Sequence, residues 1–445
     1  MLFASAVLAL MLQPPPPSGV WQSEGYGHLW ELVDNRLMAY EVTTETCLKG
    51  SQAARQSGGG AAGEIVFRAD TTLGAVAADW VIRPGWSANR LVAHSPGTAA
   101  DVVFRRLSRL PDRCRRPPDA SRAAVFDLFS LTMAEQYAFF REHQVDWDVT
   151  VAAARPLALA ATNDTAFYHL LAAMVAPLHD RHTDVTATTM GLRQRNARPI
   201  PDSLPTAEVV RLRSAPPALP LVGPLVRLSG DRLQYGWLAP RIGYLKVTAV
   251  YGYRTNGGFE GDSVAFAAAL DQVFAALTGL DGLVLDLRIN GGGYDALAKL
   301  LAGRFTDRRY LGFTKQARSD PRDPTQYTPP ARVMVEPAGL RRFTGRLAVL
   351  LGPGTLSAGE VLAMMLAERR PRPRFIGSAT QGIFADELVR RLPNGWQFQL
   401  SNERYTTPSG VVFEGRGVPV DQEVAAFGKP DRALEEALRW TKFRR

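Results

Sequence analysis

Two stretches decide the architecture, LVLDLRINGGG at residues 283–293 and RLAVLLGPGTLSAGEVLAMMLAERR at residues 346–370. Each opens on a short unbroken apolar run, the pattern of a strand buried on both faces. Each then passes through glycines into a helical segment. Strand, glycine turn and helix in repetition mark βαβ crossovers in one sheet. Working outward, IGYLKVTAV (242–250) reads as another strand and DSVAFAAALDQVFAAL (262–277) as a helix. ELVRRLPNGWQFQLS (387–401) reads as a hairpin closing on Asn394-Gly395. The expected fold is an α/β domain over residues 239–430, with βαβ crossovers and a mixed sheet, then a basic C-terminal helix at 431–445.

Residues 121–190 read as helical. Phe167, Leu170, Leu171, Met174, Val175 and Leu178 share one face, and Asn163 or Asp164 can cap its start. Pro177 places HDRHT (179–183) at the helix end or just beyond it. Residues 191–238 carry many prolines and no clear period, and read as a connection. Residues 20–113 read as a small β-rich domain, from runs such as GEIVFRA (63–69), ADWVIR (78–83) and ADVVFRRL (100–107). The first 19 residues hold an apolar run, LFASAVLALML, ahead of Pro14 to Pro17, which suits a secretory signal and a periplasmic or secreted location.

The composition, 46% hydrophobic and 21% charged over 445 residues, excludes wholesale disorder. No later apolar run is long enough for a membrane span. The 52 basic and 43 acidic residues leave a net charge of +9, mostly scattered arginine, which describes a solvated surface rather than a nucleic-acid partner. Cys47 and Cys114 lack metal-type spacing, so a disulfide between them and two buried thiols both stay open. The glycine loop lacks a GxGxxG spacing, and no metal or nucleotide cofactor is implied.

Reactive groups in an open α/β sheet collect at the carboxyl ends of strands. There, Asn290-Gly291-Gly292-Gly293 can turn backbone N–H groups toward an oxyanion. Ser357 opens a helix, where free N–H donors and the positive dipole end also suit an oxyanion, although Ser357 to Glu360 fits a capping box as well. Taken together, the two loops look like a nucleophile facing an oxyanion hole. Of the six histidines, His182 is the candidate base, four positions past Leu178 and on the same apolar side if helical geometry continues. Asp180 and Glu414 are carboxylates that could orient it.

The set DLRINGGG (286–293), TLSAGEVL (355–362), GSATQG (377–382), LPNGWQFQLS (392–401) and EGRGVPVD (414–421) resembles the tail-specific, or C-terminal processing, serine protease family. The lead-in YAFFREHQVDWD, then LHDRHT, extends the resemblance toward the N-terminus. The resemblance implies that Ser357 is the nucleophile, with Gly292 (within one residue) and Ala358 as oxyanion donors. One branch of the family draws its base from a lysine in a Gly-Lys-Gly turn; at that place this chain reads Gln381-Gly382-Ile383. The tricorn-like branch, near the interphotoreceptor retinoid-binding proteins, uses a histidine and a late glutamate, which fall on His182 and Glu414. The serine that precedes the histidine in tricorn is Arg181 here, and no PDZ module is recognisable. What this implies is a serine peptidase acting by acyl transfer on a peptide or protein substrate. A non-catalytic apolar-ligand-binding protein on the same fold and an esterase-type acyl hydrolase are the alternatives.

Overall fold

The computed structural model describes residues 17–56, 63–69, 79–196 and 205–442; the apolar run read as a signal lies outside them. The chain divides into two compact units, the first closing with Asp101–Pro117 and the second comprising Gly97–Ala100 and the chain from Pro118 onward.

The first unit is a closed antiparallel barrel of eight strands: β1 (Gly19–Ser23), β2 (His28–Val33), β3 (Arg36–Val42), β4 (Cys47–Arg55), β5 (Ile65–Ala69), β6 (Trp80–Pro84), β7 (Arg90–His94) and β8 (Val102–Leu107). Pairing of β1 with β8 leaves no open edge. Alternate residues point inward, and Trp21, Trp30, Phe67, Ile82, Leu91 and Phe104 fill the interior, with the Trp30 and Phe104 rings stacked at 4.0 Å. The interior is a packed core rather than a ligand cup. Cys47, at the start of β4, is disulfide-bonded to Cys114 in the turn after β8.

The second unit begins with three helices, α1 (Arg122–Gln136), α2 (Trp147–Ala160) and α3 (Asp164–Val175). Asn163 caps α3, its Oδ1 accepting the Ala166 N–H at 2.9 Å. The helical path ends at a 3-10 turn, Ala176–Leu178, followed by His179 in the left-handed region at φ 49°. The chain continues through β9 (Asp184–Ala187), β10 (Leu192–Arg195), α4 (Thr206–Ser214), β11 (Val226–Leu228), β12 (Leu233–Ala239), β13 (Ile242–Val247), α5 (Gly258–Ala276), β14 (Gly282–Asp286) and α6 (Asp295–Gly303). It ends with β15 (Tyr310–Ala317), β16 (Ala331–Val335), β17 (Arg346–Leu351), α7 (Ala358–Ala367), β18 (Arg374–Gly377), β19 (Glu387–Arg391), β20 (Gln397–Ser401), β21 (Glu403–Thr406), β22 (Gln422–Glu423) and α8 (Arg432–Lys442).

The main sheet runs β11-β12-β13-β14-β17-β18-β22, parallel from β13 onward and antiparallel at the β11–β12 edge, a mixed sheet with βαβ crossovers. Leu283, Leu285, Leu347 and Val349 face one core with α5, α6 and α7. Val284, Ala348 and Leu350 face the other, closed by Ala433, Leu434 and Ala437 of α8. The stretch read as a connection (191–238) holds β10, α4, β11 and most of β12. Its prolines hide the short periods from sequence inspection.

A second sheet, β10-β9-β20-β19, decides where the site residues go. The β19–β20 hairpin leaves the α/β part and pairs with β9 of the helical part, so segments that read separately in sequence share one compact unit. Asp184, Gln399 and Val389 stand in one row of this sheet. Two residues along, Glu387 faces Ser401, and the same step back from Asp184 reaches His182.

Candidate active site

Ser357 stands at the carboxyl end of β17, at the first turn of α7, with φ 52° and ψ −128°. That backbone region is costly for any residue with a Cβ, so the turn stores strain at the serine. Neighbouring bonds impose it. Thr355 Oγ1 donates to the Leu287 carbonyl at 2.8 Å, and the Leu356 N–H donates to that of Asn290 at 2.9 Å. The Glu360 N–H goes to the Ser357 carbonyl at 2.7 Å, and the Glu360 carboxylate accepts the Ser357 N–H at 3.2 Å, so the capping box read from the sequence is present at this turn.

The glycine loop lies directly against this serine. A Cβ on Gly292 (φ +84°) would sit 2.7 Å from Ser357 Cβ and 3.2 Å from its Oγ. Only glycine permits that approach. The Gly292 N–H itself donates to Asn290 Oδ1 at 3.0 Å, and Gly291 donates to the Thr248 carbonyl at 3.0 Å. The N–H groups of Gly293 and Ala358 have no acceptor among the described residues. Within the glycine loop the N–H left without an acceptor is therefore that of Gly293, one residue beyond Gly292.

His182 is not placed by a continued helix, which stops three residues earlier at His179. Asp180 shapes a turn instead. Its Oδ1 accepts the His182 backbone N–H at 2.8 Å, while its Oδ2 accepts from Thr183 Oγ1 at 2.8 Å and from the Tyr137 hydroxyl at 3.2 Å. Burial raises Tyr137 well above its ordinary value, so it remains a donor. The imidazole Nδ1 lies 2.6 Å from the Ala385 carbonyl oxygen. A carbonyl only accepts, so Nδ1 carries the proton and the neutral ring keeps its lone pair on Nε2. Glu387 Oε1 is 4.0 Å from that Nε2.

Neither Asp180 nor Glu414 hydrogen-bonds to the ring. Glu414 acts one step removed, through a strap of backbone at residues 382–386. Five consecutive N–H groups of this strap end on three buried carboxylates. Gly382 and Ile383 donate to Glu360 at 2.6 and 2.8 Å, Phe384 and Ala385 to Glu414 Oε2 at 2.9 and 3.2 Å, and Asp386 to Glu403 at 3.2 Å. The strap carbonyls face the reactive groups: that of Ile383 accepts the Ser357 N–H at 3.0 Å, and that of Ala385 holds His182. Two residues of chain span at most about 7 Å, so Ser357 and His182 hang from neighbouring points of one segment. The EGRG turn locks the strap from behind, with the Gly415 N–H on the Gly382 carbonyl at 2.8 Å.

Burial sets the electrostatics of this strap. It pushes Glu360 up to about 7, against the downward pull of hydrogen bonds from Thr380, Gly382, Ile383 and Ser357. Burial, then the nearby charge of Asp180, holds Glu414 well above the usual carboxylate range. At the strap's far end Lys315 Nζ lies 2.6 Å from Asp386 and 3.0 Å from Glu403, locked in ion pairs. Ile383 occupies the turn where one branch of the resembling family carries its lysine. A cavity of about 440 Å³, lined by Tyr244, Lys246, Arg288 and Phe427 among others, has neither Ser357 nor His182 in its wall. Sequence inspection missed Ala385, Glu387, Glu403 and the second role of Glu360; the run of N–H groups leaves no side-chain signature.

Residues 241–424 match the model of peptidase family S41, and residues 118–176 match the tricorn protease C1 domain. Ser357, the glycine loop, the strap and Glu414 fall within the first match, and His182 falls between the two. A chloroplastic C-terminal processing peptidase of Tetradesmus obliquus is 31% identical over 166 residues, covering 35% of this chain and 32% of the relative. The chloroplastic carboxyl-terminal-processing peptidase 2 of Arabidopsis thaliana is 26% identical over 201 residues, covering 44% and 34%. The chain thus spans about a third of the length of these relatives. Among solved structures, a candidate peptidase from Parabacteroides merdae aligns over 73% of this chain and 98% of its own, at 22% identity and a TM-score of 0.61. Mature CPAF aligns over 72% and 96%, at 11% identity and 0.52. These two carry the fold.

Proposed function

From the premise that residues 241–424 form a peptidase family S41 domain, we propose that this protein is a serine peptidase with Ser357 as nucleophile and His182 as base. The observation that carries the reading is the 382–386 strap, whose Ile383 and Ala385 carbonyls hold the Ser357 N–H and the His182 ring. His182 Nε2 takes the proton from Ser357 Oγ as the oxygen attacks a peptide carbonyl. The N–H groups of Ala358 and Gly293 receive the oxyanion, and α7 adds its positive end. The imidazolium then protonates the leaving amine, and water activated by the same ring releases the acyl group. As the ring charges, its Nδ1–H bond to Ala385 strengthens, and Glu387 lies 4.0 Å from the other nitrogen. Glu414 is a positioning residue, holding the peptide that holds the ring.

The site is built from side chains and backbone donors, and the reading involves no metal or nucleotide. The Cys47–Cys114 bridge supports maturation in an oxidising compartment, in keeping with a periplasmic or secreted protein. Among the described residues no helix is long and apolar enough to cross a membrane. A fluorophosphonate probe tests the assignment. Wild type should label at Ser357 and cleave peptides, whereas Ser357→Ala and His182→Ala should each do neither. Persistent cleavage by Ser357→Ala would overturn it.

A further inference from the structure

Helix α4 ends in an unusual clamp. The last carbonyls of a helix lack intrahelical partners and normally face water. Here four in succession are taken by side chains from three adjoining strands. Lys246 of β13 donates to Leu212 at 2.6 Å and Ala215 at 3.0 Å, Gln234 of β12 to Arg213 at 2.6 Å, and Arg227 of β11 to Ser214 at 2.7 Å. Gln234 and Lys246 are buried, so this fastening is rigid.

The clamp fixes the backbone from which the Arg213 side chain extends. Its Nη2 lies 3.3 Å from the point a Cβ on Gly291 would occupy, one residue before the glycine packed on Ser357. Adding about 1.5 Å for each Cα–Cβ bond and about 3.8 Å between α carbons puts Nη2 within about 13 Å of Ser357 Oγ. Neighbouring arginines are paired, Arg211 with Glu208 and Arg227 with Asp231. Arg213 has no ion pair or side-chain hydrogen bond among the described residues, and its Nε is buried without an acceptor. The guanidinium is only partly buried, but its Nε is shut away from both water and any acceptor, and a buried polar atom left unpaired is unfavourable unless something else completes it.

We propose that Arg213 completes a subsite for a carboxylate of the substrate, from an aspartate or glutamate side chain or from a free C-terminus, and so selects acidic peptides. The proposal rests on the serine-peptidase reading above. An extended peptide advances about 3.4 Å per residue, so the carboxylate belongs within about three or four residues of the scissile bond. The guanidinium fork matches a carboxylate with two parallel bonds.

The test compares kcat/KM on fluorogenic peptides matched in sequence, with Glu against Gln at each of four positions on either side of the cleaved bond. A second arm compares a free C-terminal acid with its amide. Wild type should favour the acidic member about 10- to 100-fold at one position or at the terminus, the range of one charge-assisted bond. Arg213→Ala and Arg213→Gln should bring the ratio near one, and Arg213→Lys should restore part of it. The position that responds identifies the source of the carboxylate. Two independent substitutions and their melting curves separate a lost preference from a lost fold. A wild-type ratio near one everywhere, or a ratio unchanged in Arg213→Gln, overturns the proposal. Fluorophosphonate labelling of Ser357 is read in parallel: labelling and cleavage without acidic preference sink the subsite alone, whereas loss of both sinks the peptidase reading with it.

Discussion

Replacing Glu414 separates two ways in which a carboxylate can serve a histidine. The carboxyl does not touch the ring. Its Oε2 accepts the N–H groups of Phe384 and Ala385 at 2.9 and 3.2 Å, and the Ala385 carbonyl then accepts from Nδ1 at 2.6 Å. Burial and Asp180 hold Glu414 above the usual range, so its neutral form resembles the amide of glutamine. Glutamine keeps an oxygen that can accept both N–H groups. Glu414→Gln should therefore lower kcat/KM by less than about tenfold and shift Tm little, if the group serves as an acceptor. Glu414→Ala leaves two buried N–H groups without an acceptor, at about 1–3 kcal/mol each. That change frees the Ala385 carbonyl, with a loss in kcat/KM on the order of 10² or more. Peptide hydrolysis, the rate of fluorophosphonate labelling and thermal melting of the three proteins decide the matter. A loss near 10³ in Glu414→Gln with wild-type Tm would refute the argument, because it would mean that the ionised carboxylate itself stabilises the imidazolium.

Ser357→Gly should abolish labelling yet stabilise the fold by about 1–2 kcal/mol in denaturant titration, since glycine relieves the positive φ of 52° that alanine would retain; a Ser357→Gly protein no more stable than Ser357→Ala counts against stored strain. Burial raises Glu360 from 4.5 to about 7, so the folded state keeps this proton over a window where the unfolded chain releases it. The sign follows: stability relative to Glu360→Gln should fall as pH rises from about 4.5 to about 7, by roughly 3 kcal/mol, and a rising difference in Tm contradicts the buried-acid account. Breaking the Cys47–Cys114 bridge, which spans 67 residues, should destabilise the barrel unit by roughly 4 kcal/mol on the loop-entropy model, and an unchanged melt after reduction would show that the bridge leaves the unfolded chain unconstrained.

The two reactive loops were legible because each is local: a buried strand, a glycine turn and a helix start, all within about a dozen residues. Ser357 and the Gly292 loop accordingly meet as their positions suggested. His182 was found for an incomplete reason. The apolar stripe of α3 points toward it, but Pro177 and His179 end the helix, and its place beside the strap comes with the strand register between β9 and β20. That pairing joins residues about two hundred positions apart, beyond any sequence window. The strap was illegible for the same reason, since Glu360, Glu403 and Glu414 converge on backbone atoms rather than on a recognisable side-chain motif. Helix α4 and strands β11 and β12 were lost among prolines, and with them the position of Arg213.

The ladder joining β9 to β20 is only three rows long: Gln397 with Thr186, Phe398 with Val185 and Gln399 with Asp184. Ser357 and His182 therefore ride on separately anchored pieces, one on the main sheet and the other beside the helical layer, joined by these few rungs, by the strap that holds both and by the Ala138 N–H on the Ser401 carbonyl at 3.0 Å. Releasing the rungs together with the Ala385–His182 bond would part the pair while leaving the main sheet intact. Such an opening is a sub-global event with its own free energy, smaller than that of complete unfolding. The fraction with Ser357 and His182 in register is then a population distinct from the folded fraction, and amide exchange along residues 184–187 reads it. On the serine-peptidase proposal, a sample can melt normally and still be largely dormant, with its activity set by how tightly this seam is closed.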